Sequence, residues 1–195
     1  MLNKFDAPDR SDSVLDPTDI WIRKSLAEEA DALAALTIKE VGTNTASAAT
    51  IRTVIQHNGQ CIFSVLRSRP GPIPSEIIGF YAYLPLNSSG VTALLEGRFD
   101  GTNPCISMIS RPEDRPAAIY GWVAVARGFN KFARPLVMQH MAGRRYSDLP
   151  FYARAATTDG VRAMRRFGCV PASSNEQPGI GCLFVGDFNS IREAA

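Results

Sequence analysis

Residues 117–126 read AAIYGWVAVA, and the runs after them decide the fold: RGFNK (127–131), FARPLVMQHMAGRR (132–145), FYARAAT (151–157) and DGVRAMRRF (159–167), closed by Gly168. The first run is almost wholly apolar or aromatic, the pattern of a strand covered on both faces. FYARAAT reads as a second strand. DGVRAMRRF reads as a short helix with Val161, Met164 and Phe167 as its apolar stripe and Gly168 as its stop. Between the first strand and the 132–145 helix, the turn carries Arg127 and Lys131, with Arg134 at the helix entrance. The first turn of a helix has unpaired backbone N–H groups and a positive dipole end. Cations at such a place favour phosphate binding over a merely solvated basic turn.

Working outward, residues 1–19 are polar, with prolines at positions 8 and 17, and read as a loose arm. IWIR (20–23) is a short strand. Ser25 and Glu28 make an S-x-x-E capping box, predicting a helix to about Lys39 with Leu26, Ala30, Leu33 and Leu36 on its apolar face. A second helix is expected over 45–57, using Ala48, Ile51, Val54 and Ile55, and ended by Asn58-Gly59. CIFSVL (61–66) and EIIGFYAYL (76–84) should pair as an antiparallel hairpin across a proline-rich turn. Gly79 inside the second of these marks a bulge or a close backbone approach. Residues 87–116 are irregular, with a short helix expected in 91–99 and a short strand in 105–109. Segments of this kind are usually functional or mobile. After a loop or frayed strand, residues 180–187 form the last strand. The order predicts an α/β chain: a mixed, mostly antiparallel central sheet with helices on both faces.

This order, with its basic turn, resembles the GNAT superfamily of N-acetyltransferases over about residues 19–187. The resemblance implies an acyl-CoA N-acyltransferase fold, with residues 1–19 as an arm and 20–195 as one GNAT-like domain. In that family the fourth strand ends at a bulge that pairs with the pantetheine arm of acetyl-CoA. A loop of pattern [Q/R]-x-x-G-x-[G/A] then wraps the pyrophosphate. Here Gly128, Lys131 and Ala133 stand at the three motif positions, with Arg127 beside them. The resemblance therefore assigns Val123, Ala124 and Val125 to backbone contacts with the cofactor. It assigns Arg127, Gly128, Phe129, Asn130, Lys131, Phe132, Ala133 and Arg134 to the pyrophosphate. Met164 stands where the family commonly has a tyrosine that protonates the leaving thiolate.

The implied activity is transfer of an acetyl or other short acyl group from acetyl-CoA, or another acyl-CoA, to a primary amine by direct attack. The acceptor would be a small-molecule amine or amino-acid-like compound. A second reading is longer-chain acyl transfer on a related fold, as in acyl-amino-acid or acyl-homoserine-lactone synthesis, with Phe129 and Phe132 marking the altered site. A third is a non-catalytic acyl-CoA-binding module. Tyr120 and Tyr83 are the catalytic candidates, since a tyrosine hydroxyl can protonate a thiolate. Alternation along the strands puts Tyr81 with Tyr83, and Tyr120 with Trp122, on shared faces; core packing is the reading for at least half of them, and lining a cleft where the strands splay is the functional alternative. Glu76, Glu96, Asp100, Glu113 and Asp114 are the carboxylates expected nearest that cleft.

Composition narrows the classes further. The chain has 195 residues, 45% hydrophobic, and a net charge of +2, which argues for neither nucleic acid nor membrane. No apolar run is long enough to cross a bilayer. The N-terminal residues lack the apolar core of an export signal. The four cysteines show no metal or redox spacing and are expected to be reduced thiols of a cytoplasmic protein. The two histidines, His57 and His140, are too scattered for a metal site, so no metal is expected. The arginines of the second half read as solvated helix faces, and a homodimer is compatible with the chain.

Overall fold

In the computed structural model, residues 19–68, 75–126, 128, 130–142, 146, 148–173 and 177–187 are described. Strands β1 (Ile20–Lys24), β2 (Ile62–Arg67), β3 (Glu76–Leu86), β4 (Ala118–Val125), β5 (Pro150–Arg154), β6 (Val170–Pro171) and β7 (Leu183–Asp187) form one seven-stranded sheet in the order β1-β2-β3-β4-β5-β7-β6. Every neighbouring pair is antiparallel except β4 and β5. Helices α1 (Ala30–Val41), α2 (Ala48–His57) and α3 (Ser88–Leu95) cover one face; α4 (Asn130–Ala142) and α5 (Thr158–Arg166) cover the other. The fold class expected from the sequence is the one observed. The expected arm lies outside the described residues, apart from Asp19.

Two cores follow from the alternation of each strand. On the first face, Ile62, Phe80, Leu84, Tyr120 and Val125 meet Leu33, Ile51, Val54 and Leu94 of the helices. On the second, Phe63, Tyr81, Tyr83, Phe151 and Phe184 meet Val137, Met138, Val161 and Phe167. Burying such side chains contributes about 1.5–3 kcal/mol each against the entropy of ordering the chain.

Several local expectations need correction. The capping acid of the first helix is Glu29, not Glu28: its carboxylate accepts from the Leu26 N–H at 2.8 Å. Ser25 is unavailable as a cap because its hydroxyl is buried against that of Ser64, 2.8 Å away. A 3-10 turn, Ala27–Glu29, therefore precedes α1. Leu26 is 54% exposed, and Ala34 and Thr37 join Ala30 and Leu33 on the buried face. The second helix starts later than expected, at Ala48, with the Ser47 hydroxyl accepting from the Thr50 N–H at 3.1 Å. In 87–116 the helix comes earlier, capped by Asn87, whose side-chain oxygen accepts from Gly90 at 3.0 Å. The expected strand at 105–109 is a 3-10 turn, Ile106–Met108, followed by a single bridge from Ile109 to Leu86. The Asn58 side chain donates to the Ser110 carbonyl at 2.9 Å, and a His57 ring nitrogen bonds the Ile109 carbonyl at 2.8 Å. This arm is tied to α2 and β3 at several points.

Gly79 serves both expected purposes. A Cβ there would lie 2.3 Å from the Val125 carbonyl oxygen, so glycine alone lets β3 approach the end of β4. Beside it, the β2–β3 register slips between Val65 and Leu66, leaving Ile78 as an extra residue.

Candidate active site at the β4–β5 fork

The expectation that β4 is buried on both faces fails in its second half: residues 121–123 are half-buried and Ala124 is exposed. The cause is the pairing. β4 stays with β3 as far as Val125, but its pairing with β5 covers Ile119, Tyr120 and Gly121 only. Two parallel strands thus part after the Gly121–Ala153 row and leave a fork. Beside the fork the β3–β4 register shifts: Tyr83 faces Gly121 and Ala82 faces Val123, so Trp122 is a bulged residue in β4. The bulge moves the alternation on by one. Trp122 and Val123 both pack on the first face with Tyr120 and Val125.

The four aromatic residues do not line one cleft. Tyr120 and Trp122 belong to the α1–α3 face, where the Tyr120 ring meets Phe99 edge-on at 5.3 Å. The Trp122 indole N–H donates to the Gly101 carbonyl at 2.6 Å. Tyr81 and Tyr83 belong to the α4–α5 face. Tyr83 is 7% exposed, in the last cross-strand row before the fork, with the Phe151 ring 6.3 Å away. Burial, with Tyr81 adding to it, pushes the Tyr83 hydroxyl far above the usual tyrosine range; Arg134 pulls it part of the way back. Tyr81 is raised by burial against the same Arg134. Tyr120 is raised by burial too, opposed by the charge of Arg154 and a hydrogen bond from it. All three are proton-bearing hydroxyls at neutral pH.

At the open end of the fork, Gly128 is exposed with φ of 80°, a left-handed conformation that favours glycine. Asn130, Lys131 and Phe132 form the first turn of α4. Ala133 is fully buried beneath that helix. Arg127 and Phe129 lie outside the described residues. Pro135 inside α4 lacks the N–H that would bond the Lys131 carbonyl, so helical pairing is weakened next to the first turn. Arg134 turns inward: its guanidinium lies over the Phe167 ring at 4.8 Å, and its charge acts on Tyr81 and Tyr83. It bridges the helix entrance and the buried hydroxyls. Met164 is half-buried against the same core.

Two concavities open on the first face. One, of about 290 Å³, lies between the C-terminal end of α3 and the strands β5, β6 and β7; Glu96, Arg154 and Ser173 line it. The other, of about 340 Å³, lies between the end of α1 and the β2–β3 hairpin, with Lys39, Arg67, Glu76 and Val125 in its walls. Of the expected carboxylates, Glu96 and Glu76 reach concavities. Asp114 instead accepts from the Arg111 N–H at 3.1 Å, and Asp100 from the hydroxyl and N–H of Thr102 at 2.7 and 2.8 Å. The Asp100 carboxyl sits below its usual range, chiefly through the Thr102 hydroxyl.

Cys61, Cys169 and Cys182 are buried free thiols, and Cys105 is an exposed one. Burial pushes the Cys169 thiol up to about 11. Such a group contributes stability that is complete below its unfolded pKa and lost as pH rises through its folded value. For Cys169 the window opens near its ordinary 9.0 and closes near 11. The buried tyrosines add theirs from their ordinary 10.0 upward. Thermal unfolding followed from pH 7 upward should therefore show the midpoint falling from about pH 9. Cys169→Ala should delay the onset by about one pH unit.

No protein-family description matches the chain, and no curated protein does. Solved structures do. A point mutant of KacT is similar over 90% of this chain and 98% of its own, with TM-score 0.44 and 10% identity. AtaTR bound with AcCoA is similar over 90% and 98%, with TM-score 0.42 and 12% identity. An N-acetyltransferase from Staphylococcus aureus Mu50 is similar over 85% and 100%, with TM-score 0.43 and 10% identity. Among the described residues, no helix is long and apolar enough to cross a membrane.

Proposed function

We propose that the protein transfers an acetyl or other short acyl group from an acyl-CoA to a primary amine by direct attack. The observation that carries this reading is the fork. β4 loses β5 after Gly121, beside a bulge at Trp122, while β3 still holds its other edge. Backbone N–H and C=O groups along 122–125 are thereby left to an extended, amide-bearing ligand acting as a surrogate strand. A pantetheine arm has that chemistry. Exposed Ala124 and exposed, left-handed Gly128 leave room for close approach of backbone to ligand. In this reading Val123, Ala124 and Val125 would hold the arm, and Gly128 with the first turn of α4, Asn130 to Phe132, the pyrophosphate.

Acyl-CoA would supply the activated acyl group. The chain's own part is to orient the thioester in the fork, to offer bulge N–H groups to the charge developing on the carbonyl oxygen, and to keep a proton ready for the sulfur. Tyr83 is placed for the last task at the fork on the α4–α5 face; burial works against giving up its proton, and the Arg134 charge, which opposes that effect, is what would favour the transfer. The amine lone pair forms the C–N bond. The C–S bond breaks with its electron pair going to sulfur, which takes the Tyr83 proton. The proton lost by the amine goes to water, and water restores Tyr83. The products are an amide and a free thiol.

Calorimetric titration with acetyl-CoA, followed by thiol release against a panel of amines, tests the reading. Binding in about the 1 μM to 1 mM range with amine-dependent thiol release is expected. No heat of binding and no thiol release would overturn it.

A further inference from the structure

The concavity beside α3 has two walls of opposite character. One is the C-terminal end of α3, Leu94 to Gly97, which carries the Glu96 carboxylate at the negative end of the helix dipole. Arg98 beside Glu96 pairs with it and holds it in place. The other wall is the end of β5 with β6 and β7, where Arg154 is the cation. Among the described residues, Arg154 donates to the neutral Gly181 carbonyl at 2.8 Å, and it lies near enough to the Tyr120 hydroxyl to act on it. A guanidinium has five N–H donors in a planar fork, so this one is fixed in place with donors to spare. Tyr120 lies two residues before the bulge, one row before the last paired row, Gly121–Ala153. Arg154 follows Ala153, the last β5 residue paired with β4, so it brings the concavity to the β5 edge of the fork on the face opposite α4 and α5. At about 290 Å³ it is at the small end of ligand sites.

From this arrangement we infer that the concavity is the acceptor site and takes a small zwitterion, an amine that also carries a carboxylate, with Arg154 holding the carboxylate and Glu96 with the α3 end holding the ammonium. The inference rests on the acyl-transfer reading for its chemistry: the amine nitrogen is the atom acylated, and the carboxylate only positions it. Arg154 is a specificity residue. It binds the non-reacting end of the acceptor and takes no part in proton transfer.

The test pairs each of several L-amino acids with the amine that lacks its carboxylate: phenylalanine with phenethylamine, lysine with cadaverine. Binding to the full chain is followed by ligand-detected NMR in the presence and absence of CoA. Some amino acids should bind at least tenfold more tightly than their amines. Arg154→Gln should abolish that preference by weakening the amino acids about ten- to a hundredfold, while leaving acetyl-CoA affinity unchanged. Arg154→Lys, which keeps the charge but loses the fork, should fall between. A circular dichroism melt checks that each variant folds. Equal binding of amines and amino acids, an unchanged preference in both variants, or no binding of any amino acid would overturn the inference. Acetyl-CoA binding with carboxylate-blind amine turnover would sink the zwitterion site and leave the acyl-transfer reading standing. Amino-acid binding sensitive to Arg154, without acetyl-CoA binding, would do the reverse.

Discussion

Tyr83→Phe is expected to slow acyl transfer by about 10²–10⁴-fold, the usual contribution of a positioned general acid. The fold should barely notice. The substitution keeps the ring, its 6.3 Å relation to Phe151 and its place in the α4–α5 core. Removing a hydroxyl from so buried a site also removes a desolvation cost. Acetyl-CoA affinity should stay within a few-fold, because the proton is needed only as the C–S bond breaks. Thiol release measured against pH should rise as the amine loses its proton, with no alkaline limb from Tyr83 in the working range, since burial holds that hydroxyl well above its ordinary value. Met164→Ala is the companion experiment. Its half-buried side chain should cost about 1 kcal/mol of stability and leave the transfer rate intact. A phenylalanine variant with full activity, or a Met164 variant with none, would remove Tyr83 from its role. Tyr120→Phe separates the two candidates: it lies on the other face, close to Arg154, and should alter acceptor preference more than rate.

Apart from 105–109, read as a strand and found as a 3-10 turn, the main helix and strand types were legible in the sequence because their apolar spacing is strong. EIIGFYAYL reads as a strand, and the Val161, Met164, Phe167 stripe as a helix. What spacing could not give was phase. A bulge adds one residue without changing composition, so strict alternation along 117–126 groups residues 120, 122 and 124. In the sheet, Trp122 and Val123 share a face and Ala124 looks the other way. Nor could alternation tell that Tyr83 and Tyr120 face opposite sides, because that depends on cross-strand register. The fork is equally silent: pairing that stops at Gly121 is a property of two strands together. The signal within reach was Gly121, the one residue without a side chain in an aromatic run. A Cβ there would lie 2.6 Å from the Phe151 ring, a close approach of the kind strand glycines mark. Arg154 read as one of many solvated arginines. Its bond to Gly181 and its closeness to Tyr120 join residues too distant in sequence for spacing to reveal.

Lys131→Ala is expected to weaken acetyl-CoA binding about ten- to more than a hundredfold, the equivalent of one charge-assisted contact to phosphate. The position is in the first turn of α4, where backbone N–H groups lack helical partners and the dipole is positive. A lysine there adds charge to a site already biased toward anions, and it opposes the dipole in the absence of a ligand. Stability should therefore stay level or rise by a few tenths of a kcal/mol, which separates binding loss from unfolding. Screening shortens the reach of the charge, so the penalty should shrink as salt is raised from about 0.05 to 0.5 M. A pantetheine fragment without the pyrophosphate supplies the control. It would use the backbone of 122–125 alone, so its affinity for parent and variant should match. Left-handed Gly128 lets the chain enter the helix at that angle, and Gly128→Ala should weaken both ligands by straining the turn. Calorimetric titration of both ligands into both variants reads all of this at once. Equal losses for CoA and the fragment on Lys131→Ala, or no loss for either, would mean that the first turn of α4 does not hold a pyrophosphate.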